Sequence, residues 1–518
     1  MSDAEVTSAT SRGGRLPVAY WALVLTYLAV AINMTVANVA LPTISLELQA
    51  TTTDLAWIVN ATPLASAAFI LFAGAWGDRF GRIHLLRGGL VIFLISAVLS
   101  SMATSPGQLI WLRALTGLGS ALVMPAALAL TFDVVAAPSR RTAVGIIGAT
   151  QAGGVLLGPV LAGGALVLAG WGAAFLVVTP LLVIALVGTL RIPASTATLN
   201  TRRMDTPGAT LVAIGSVGLM YAAVTASSTS AGSATPVLIS LGVAVAALAA
   251  LVWWERRTSN PIFIGSVLRS RVFWVPTLAI FVVQFALGGI MFSNTQYVQL
   301  VLGFSALGAG AFLLPALLTW IVSSSTAGMT ARRFGVRAVA TGGLLLASAG
   351  VLAMSVVATT DPPYAVLVAG LLLVGLMGVA PALMTHMAVS SYPEERRTVG
   401  SAINSAATRY GLAFGVAAFS GMLMGVYAGR MVSVTAGLAP DQAAAAQGSL
   451  GGALRTAESL PSEAGAIIAA SARDSYVAGF RLSLLVAGLV LAVLAVVVLV
   501  ALRGVDVAAR PTGGGLHE

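Results

Sequence analysis

Two charged turns divide the apolar parts of this chain. The first reads Gly74-Ala75-Trp76-Gly77-Asp78-Arg79-Phe80-Gly81-Arg82. Far downstream, Gly328-Met329-Thr330-Ala331-Arg332-Arg333-Phe334-Gly335-Val336-Arg337 repeats it in degraded form. Each turn is rich in Gly, charged, and flanked by long apolar runs, and each closes the second run of a set. A chain that repeats one turn in this way is built from two similar parallel halves, as when an axis along a membrane normal relates them. The runs around the turns are therefore the elements to count.

Composition says what those runs are. Of 518 residues, 58% are hydrophobic and 8% charged, where a soluble domain carries roughly 25% charged residues. Seventeen acidic and 27 basic residues cannot cover the surface of a water-soluble chain of this length. That excludes a cytosolic enzyme, a secreted scaffold and a disordered chain. A membrane-crossing helix takes about 20 mostly apolar residues. Runs of that kind, from 16–40 and 54–77 at the start to 399–427 and 477–502 at the end, number fourteen. The expected fold is an all-α polytopic membrane protein of two six-helix bundles plus two inserted helices. The first bundle covers 16–190, the inserted pair 208–254 and the second bundle 273–502, with tails at 1–15 and 503–518.

The charges set an orientation. With the N-terminus inside, most Arg residues fall in cytoplasmic connections, as the positive-inside rule asks. Arg430, Arg455 and Arg473 lie in one long outer loop, while Arg113, Arg409 and Arg481 lie within runs. Both tails are then cytoplasmic, and the protein belongs in the cell membrane. The net charge of +10 is spread thinly, with no basic patch interleaved with aromatics, so nucleic acid is not an expected partner. There is no Cys, no cluster of metal ligands and no GxxxxGK[ST] phosphate loop, so neither a cofactor nor ATP-driven transport is expected. The outer loop, 428–475, contains a segment from Ser462 to Ser475 that could form an amphipathic surface helix; a solvated hairpin is the plainer account.

At this point the chain resembles the major facilitator superfamily, in particular its fourteen-span drug:proton antiporters. The first run ends Asn33-Met34-Thr35-Val36-Ala37-Asn38-Val39-Ala40-Leu41-Pro42, and the first turn fits the loop signature GxxxDRxGR. The fourth run carries Arg113-Ala114-Leu115-Thr116-Gly117-Leu118-Gly119, with Thr where the family has Gln. In the fifth, Gly154-Val155-Leu156-Leu157-Gly158-Pro159-Val160-Leu161-Ala162-Gly163-Gly164 is close to the antiporter signature GxxxGPxxGG. The resemblance implies a secondary active exporter of lipophilic small molecules that works by alternating access and is coupled to protons.

Each constellation has a physical reading. Asp78 with Arg79 and Arg82, bounded by Gly74 and Gly81, can latch the cytoplasmic ends of the two halves: the carboxylate suits helix N-termini and the guanidiniums suit C-termini. Plain positive-inside anchoring accounts for the arginines but not for the Asp or the glycines. The second copy has Arg332 where the pattern puts Asp. Gly154, Gly158, Pro159 and Gly163 allow a kink and a close helix crossing. Arg113 and Arg409 are candidate buried cations, since an ionisable group deep in a span is by default functional. Gln151 and Gln284 are further cavity candidates.

The acidic residues matter by their positions, because none falls at mid-span and Asn33 stands where the family usually has Asp. A cavity with Arg113 and Arg409 but no fixed carboxylate should favour anionic, zwitterionic or neutral amphiphiles over cations. If protons are coupled, Asp54, Asp133 and His386 are the candidate carriers, His386 because imidazole titrates in the useful range. A second reading is a lipid or secondary-metabolite flippase working with an extracytoplasmic partner through loop 428–475.

Overall fold

The computed structural model describes residues 17–136, 139–192, 205–226, 234–258, 270–392 and 397–503. The tail 1–15 lies outside them, as does 503–518 apart from Arg503. Every element among the described residues is a helix. That outcome follows from the solvent: in hydrocarbon each backbone N–H and C=O must be paired within the segment, and a helix does this without a partner strand.

Twelve helical runs among the described residues are long and apolar enough to cross a membrane. The sequence reading of fourteen differs from this at two places. Helix α2, Thr52–Phe80, is 29 residues long, and because the side chains of several residues toward its end lie outside those described, the count of twelve leaves it aside. The run Gly153–Thr189 counts once although the reading divides it. Within it, α5 (Arg140–Leu176) breaks at Ala169 and Gly170, and Gly170 sits at φ 77°, which turns the chain before α6 (Thr179–Thr189).

The first half continues from α1 (Val18–Glu47) and α2 through α3 (Arg82–Ser100) and α4 (Pro106–Val134). A hairpin of α7 (Thr206–Ala226) and α8 (Thr235–Glu255) follows α6. The second half is α9 (Arg271–Gln296), α10 (Ala306–Phe312), α11 (Leu314–Phe334), α12 (Val336–Val357), α13 (Tyr364–Gly375), α14 (Val379–Ser390), α15 (Arg397–Val434) and, at its end, α18 (Ser462–Ala501). Two short helices, α16 (Pro440–Gly448) and α17 (Leu450–Glu458), lie between α15 and α18. One apolar core runs through α1 to α7 and takes in Phe292, Ala306, Ala413, Val416 and Ala417 of the second half, and a second core unites α9 to α18.

The repeated turn has the same backbone in both halves. Gly81 joins α2 to α3 at φ 88° and ψ 130°, and Gly335 joins α11 to α12 at φ 83° and ψ 145°. A side chain strongly disfavours that region. In each copy the glycine N–H closes the preceding helix on the carbonyl four residues back, Gly77 and Ala331 respectively. At the opposite end of the bundle, helices start on hydroxyl caps: Thr51 with Asp54 in a capping box, Ser105 on Gln108 N–H, and Ser305 on Gly308 N–H. The Gly-turn end also carries Arg140 and Arg333 and is the Arg-rich end of the bundle. There Arg87 donates to the carbonyls of Thr189 and Ile192 at 2.7 and 3.2 Å, capping the C-terminus of α6.

The long connection differs from a solvated hairpin. Helix α15 runs on to Val434, and α18 begins at Ser462, so the segment read as an amphipathic helix is the continuous start of the last 40-residue helix. What remains folds as α16 and α17 and docks on the first half. Ser45 and Ser449 hydroxyls meet at 3.3 Å, Thr52 donates to the Gly448 carbonyl at 3.2 Å, and Arg455 donates to the Leu46 carbonyl. Tyr427 fixes the other side, its hydroxyl donating to Ala446 and Ser449 carbonyls. Charges that look like loop in the sequence are here the ends of helices extending beyond the apolar layer.

Candidate functional site

Between the halves lies a cavity of about 390 Å³, a size typical of small-molecule sites. Its wall comes from α1 (Tyr27, Val30, Ala31, Met34), α4 (Met124), α5 (Gln151, Val155), α11 (Leu317, Trp320, Ile321, Ser324) and α15 (Ser405, Thr408, Arg409). Gln151 stands eleven residues past Arg140, about 16 Å along α5. Ser324 stands ten residues before Phe334, about 15 Å along α11. The cavity therefore occupies the middle and Arg-rich parts of the bundle.

The opposite end is closed by contacts between the halves. A Cβ on Gly163 would lie 2.8 Å from Leu307 Cα and 2.9 Å from the Ala306 carbonyl oxygen, and one on Gly310 would lie 2.8 Å from the Pro159 carbonyl oxygen. Gln299 on the second half donates to the Val39 carbonyl on α1 at 3.1 Å. The α16–α17 cap adds its bonds to Ser45, Leu46 and Thr52. The glycine signature of α5 thus divides in two. Gly154 and Gly158 press α5 on α1, where a Cβ at 154 would meet Ala31 Cβ at 2.6 Å and one at 158 would strike the Thr35 hydroxyl. Pro159 and Gly163 face the other half.

The expected site residues are not all in one place. Gln151 and Arg409 line the cavity. Arg409 is 7% exposed, and among the described residues no carboxylate pairs with it. Arg113, on α4, is 2% exposed and stands behind the wall, where Nη1 donates to Asn33 Oδ1 at 2.9 Å. Its guanidinium lies 5.5 Å from the Phe175 ring centre and its Nε has no partner. The Thr62 hydroxyl holds the Arg113 carbonyl at 2.8 Å. Gln284 is not at the cavity; it packs against Gly411 where α9 crosses α15. His386 is exposed on α14 and contributes nothing to the lining.

The candidate proton carriers have other partners. Asp54 serves the N-terminus of α2, accepting from the Thr51 N–H at 2.9 Å and its hydroxyl at 2.7 Å. Asp133 pairs with Arg82 at 3.3 Å at the Arg-rich end, both side chains about 40% exposed. Gly74, Asp78 and Arg79 lie on the last turns of α2, and their side chains lie outside the described ones. Of the cavity residues that sequence reasoning passed over, Ser405 and Thr408 share a helix face with Arg409. That spacing was the available signal.

Two helical halves around a central cavity that is closed at one end define a membrane transporter. The Major Facilitator Superfamily model matches residues 23–416, and the chain belongs to that family. It is 30% identical over 498 residues to the multidrug efflux pump LfrA of Mycolicibacterium smegmatis, covering 96% of this chain and 98% of that one. It is 29% identical over 479 residues to the methyl viologen resistance protein SmvA of Salmonella typhimurium, covering 92% and 96%. The tetracenomycin C resistance and export protein of Streptomyces glaucescens is 28% identical, covering 95% and 93%. Among solved structures, a bacterial homologue of the human lysosomal transporter Spinster, inward-facing and occupied, superposes with a TM-score of 0.61 at 19% identity over 93% of this chain and 96% of that one.

Proposed function

We propose that this protein is a proton-linked exporter of lipophilic small molecules in the cell membrane, with a preference for anionic, zwitterionic or neutral substrates over cations. Its full-length relatives bear names of efflux, resistance and export proteins. The chain passes the membrane fourteen times, with the Arg-rich end and both termini in the cytoplasm, in accord with the positive-inside rule. The cavity is then open toward the cytoplasm and sealed outside, the state that takes up substrate. The Asp78 turn with Arg82 is the latch that engages when the halves close at the cytoplasmic end.

The substrate preference rests on Arg409, a buried cation in the cavity wall with no carboxylate partner among the described residues. A buried unpaired cation attracts a negative group strongly, because the low-dielectric surroundings screen it little. Met34, Met124 and Trp320 add an adaptable apolar surface suited to varied ring systems. Reconstitution in liposomes tests the proposal, comparing a lipophilic carboxylate dye with the dication methyl viologen, with and without a pH gradient. Export of the dye driven by the gradient, and lost in Arg409→Gln, is the expected result. Preferential export of the dication overturns the substrate preference, and indifference to the gradient overturns the coupling.

A further inference from the structure

Among the described residues two arginines are buried, and they are placed unequally. Arg409 is 7% exposed and opens on the cavity. Arg113 is 2% exposed and lines no part of it. A guanidinium has five N–H donors and keeps its charge inside a protein. Among the described residues that of Arg113 makes one hydrogen bond, from Nη1 to Asn33 Oδ1 at 2.9 Å, and its Nε has no partner. Arg87, Arg337 and Arg455 also leave Nε unpaired, but each is only half-buried at an end of the bundle.

No carboxylate is within reach of Arg113. On α4 the next acidic residue is Asp133, twenty residues and about 30 Å along the helix, and it pairs with Arg82. On α2, Thr62 marks the level of Arg113, because its hydroxyl donates to the Arg113 carbonyl at 2.8 Å. Asp54 is eight residues, about 12 Å, from Thr62 and is held in the Thr51 cap, while Asp78 is sixteen residues the other way. On α1, Glu47 is fourteen residues, about 21 Å, past Asn33. Helices α3, α5 and α6 carry no acidic residue. The hydroxyls on the next turns of α4 are already taken, Thr116 meeting Ser96 at 2.9 Å and Ser120 meeting Ser66 at 3.1 Å. The Phe175 ring, 5.5 Å from the guanidinium carbon, offers a partial attraction and no charge.

What Arg113 lacks is therefore an acceptor that also carries negative charge. Water would satisfy the free N–H groups and leave the charge unbalanced, and a buried cation without a countercharge is strongly destabilising. The Asn33 amide, its oxygen already turned to Arg113, has only N–H groups left to offer, and these too suit an anion. The place is behind the cavity wall and nearly closed, which excludes a lipid headgroup and any bulky carboxylate. We propose that the first half binds a small inorganic anion, chloride, between α1 and α4 at the Arg113 guanidinium, with Asn33 Nδ2 as a second donor. The ion takes the role that a carboxylate at position 33 would have. It neutralises Arg113 and leaves Arg409 as the charge that faces the cavity. Neither the orientation nor the substrate class argued above is needed for this.

Thermal unfolding of the full chain in detergent tests the site, with sodium chloride, bromide or gluconate at one ionic strength. Chloride and bromide are expected to raise the midpoint by about 2 °C or more over gluconate, and the rise should saturate with concentration. Asn33→Asp supplies a fixed countercharge, so its midpoint should be the same in chloride and in gluconate. Arg113→Gln removes the cation and should also lose the halide increment, whereas Arg409→Gln should keep it. Equal midpoints in halide and gluconate for the native chain overturn the proposal, as does an increment that survives in Asn33→Asp or vanishes in Arg409→Gln. Crystals of the native chain grown in bromide give a reading that depends on no variant. An anomalous peak beside the Arg113 guanidinium is the expected result, and bromide found only elsewhere overturns the site. No transport is measured, so a wrong substrate class leaves either result intact.

Discussion

The guanidinium of Arg113 donates to the side-chain oxygen of Asn33 at 2.9 Å, joining α4 to α1 behind the cavity wall. An amide thus occupies the place where a carboxylate would neutralise the charge, and the Arg113 Nε is left without a partner. A neutral acceptor satisfies one N–H but cannot balance a buried cation.

Asn33→Asp supplies that countercharge. The variant is expected to export methyl viologen better than the native chain and to lose this gain in acid as the carboxylate protonates, measured by flux in liposomes. Asn33→Leu removes the acceptor and should lower stability by about 1–3 kcal/mol in thermal unfolding. An unchanged substrate order in Asn33→Asp would show that Arg113 does not influence the cavity.

Gly163 is needed for closure at the capped end. In Gly163→Val the added side chain meets Leu307 and Ala306, so the halves cannot seal there, while the packing of α5 on α1 at Gly154 and Gly158 is untouched. Transport should fall by about tenfold or more, with normal assembly by size-exclusion chromatography. Normal flux in this variant would mean that the crossing has slack to absorb a side chain.

In the orientation proposed above, the cap formed by α16 and α17 should act as an outer strap. Arg455→Ala removes its bond to the Leu46 carbonyl, leaving weaker hydroxyl contacts at Ser45 and Thr52. A thiol at Thr52→Cys, a position 4% exposed, should then react about tenfold faster with an impermeant maleimide added outside. Equal reactivity in the two backgrounds would place the closure elsewhere.

Tyr392, beyond the end of α14, is buried with its hydroxyl unpartnered and its ring edge-on to Phe273 at 5.4 Å. Burial first, and then the charge of Glu255, push its phenol up from 10.0 to about 12. The folded chain therefore holds this proton more tightly than the unfolded chain. Its contribution to stability is whole below pH 10.0 and is lost as the pH rises through about 12. Tyr392→Phe should flatten that alkaline decline and leave stability at neutral pH equal or higher. A decline of the same slope in the variant would assign it to another group.

How much of this was legible in the chain can be judged from particular residues. Gly81 and Gly335 were readable as equivalent turns, because a Gly between charged residues at a helix junction signals a backbone that side chains disfavour, and the structure puts both at positive φ. Arg409 and Gln151 were readable as cavity residues, because polar groups stand out deep in an apolar run. Gln284 stood out in the same way, yet it packs at a helix crossing. Polarity shows that a residue needs a special environment, not which one.

The sequence by itself determined the class, the repeat, the near-count of spans and the gathering of arginines toward one end of the bundle. These depend on composition and on order along the chain, which the bilayer reads directly. Only the tertiary structure decided which surfaces meet: Asn33 with Arg113, Gly163 with Leu307, Arg455 with Leu46, and α7 over the seam of α2 and α15. The reason is that lipid and protein interior are both apolar. A helix apolar all round carries little mark of which face turns inward, so its neighbours are chosen by close packing and by a few polar contacts that appear only when the helices are assembled.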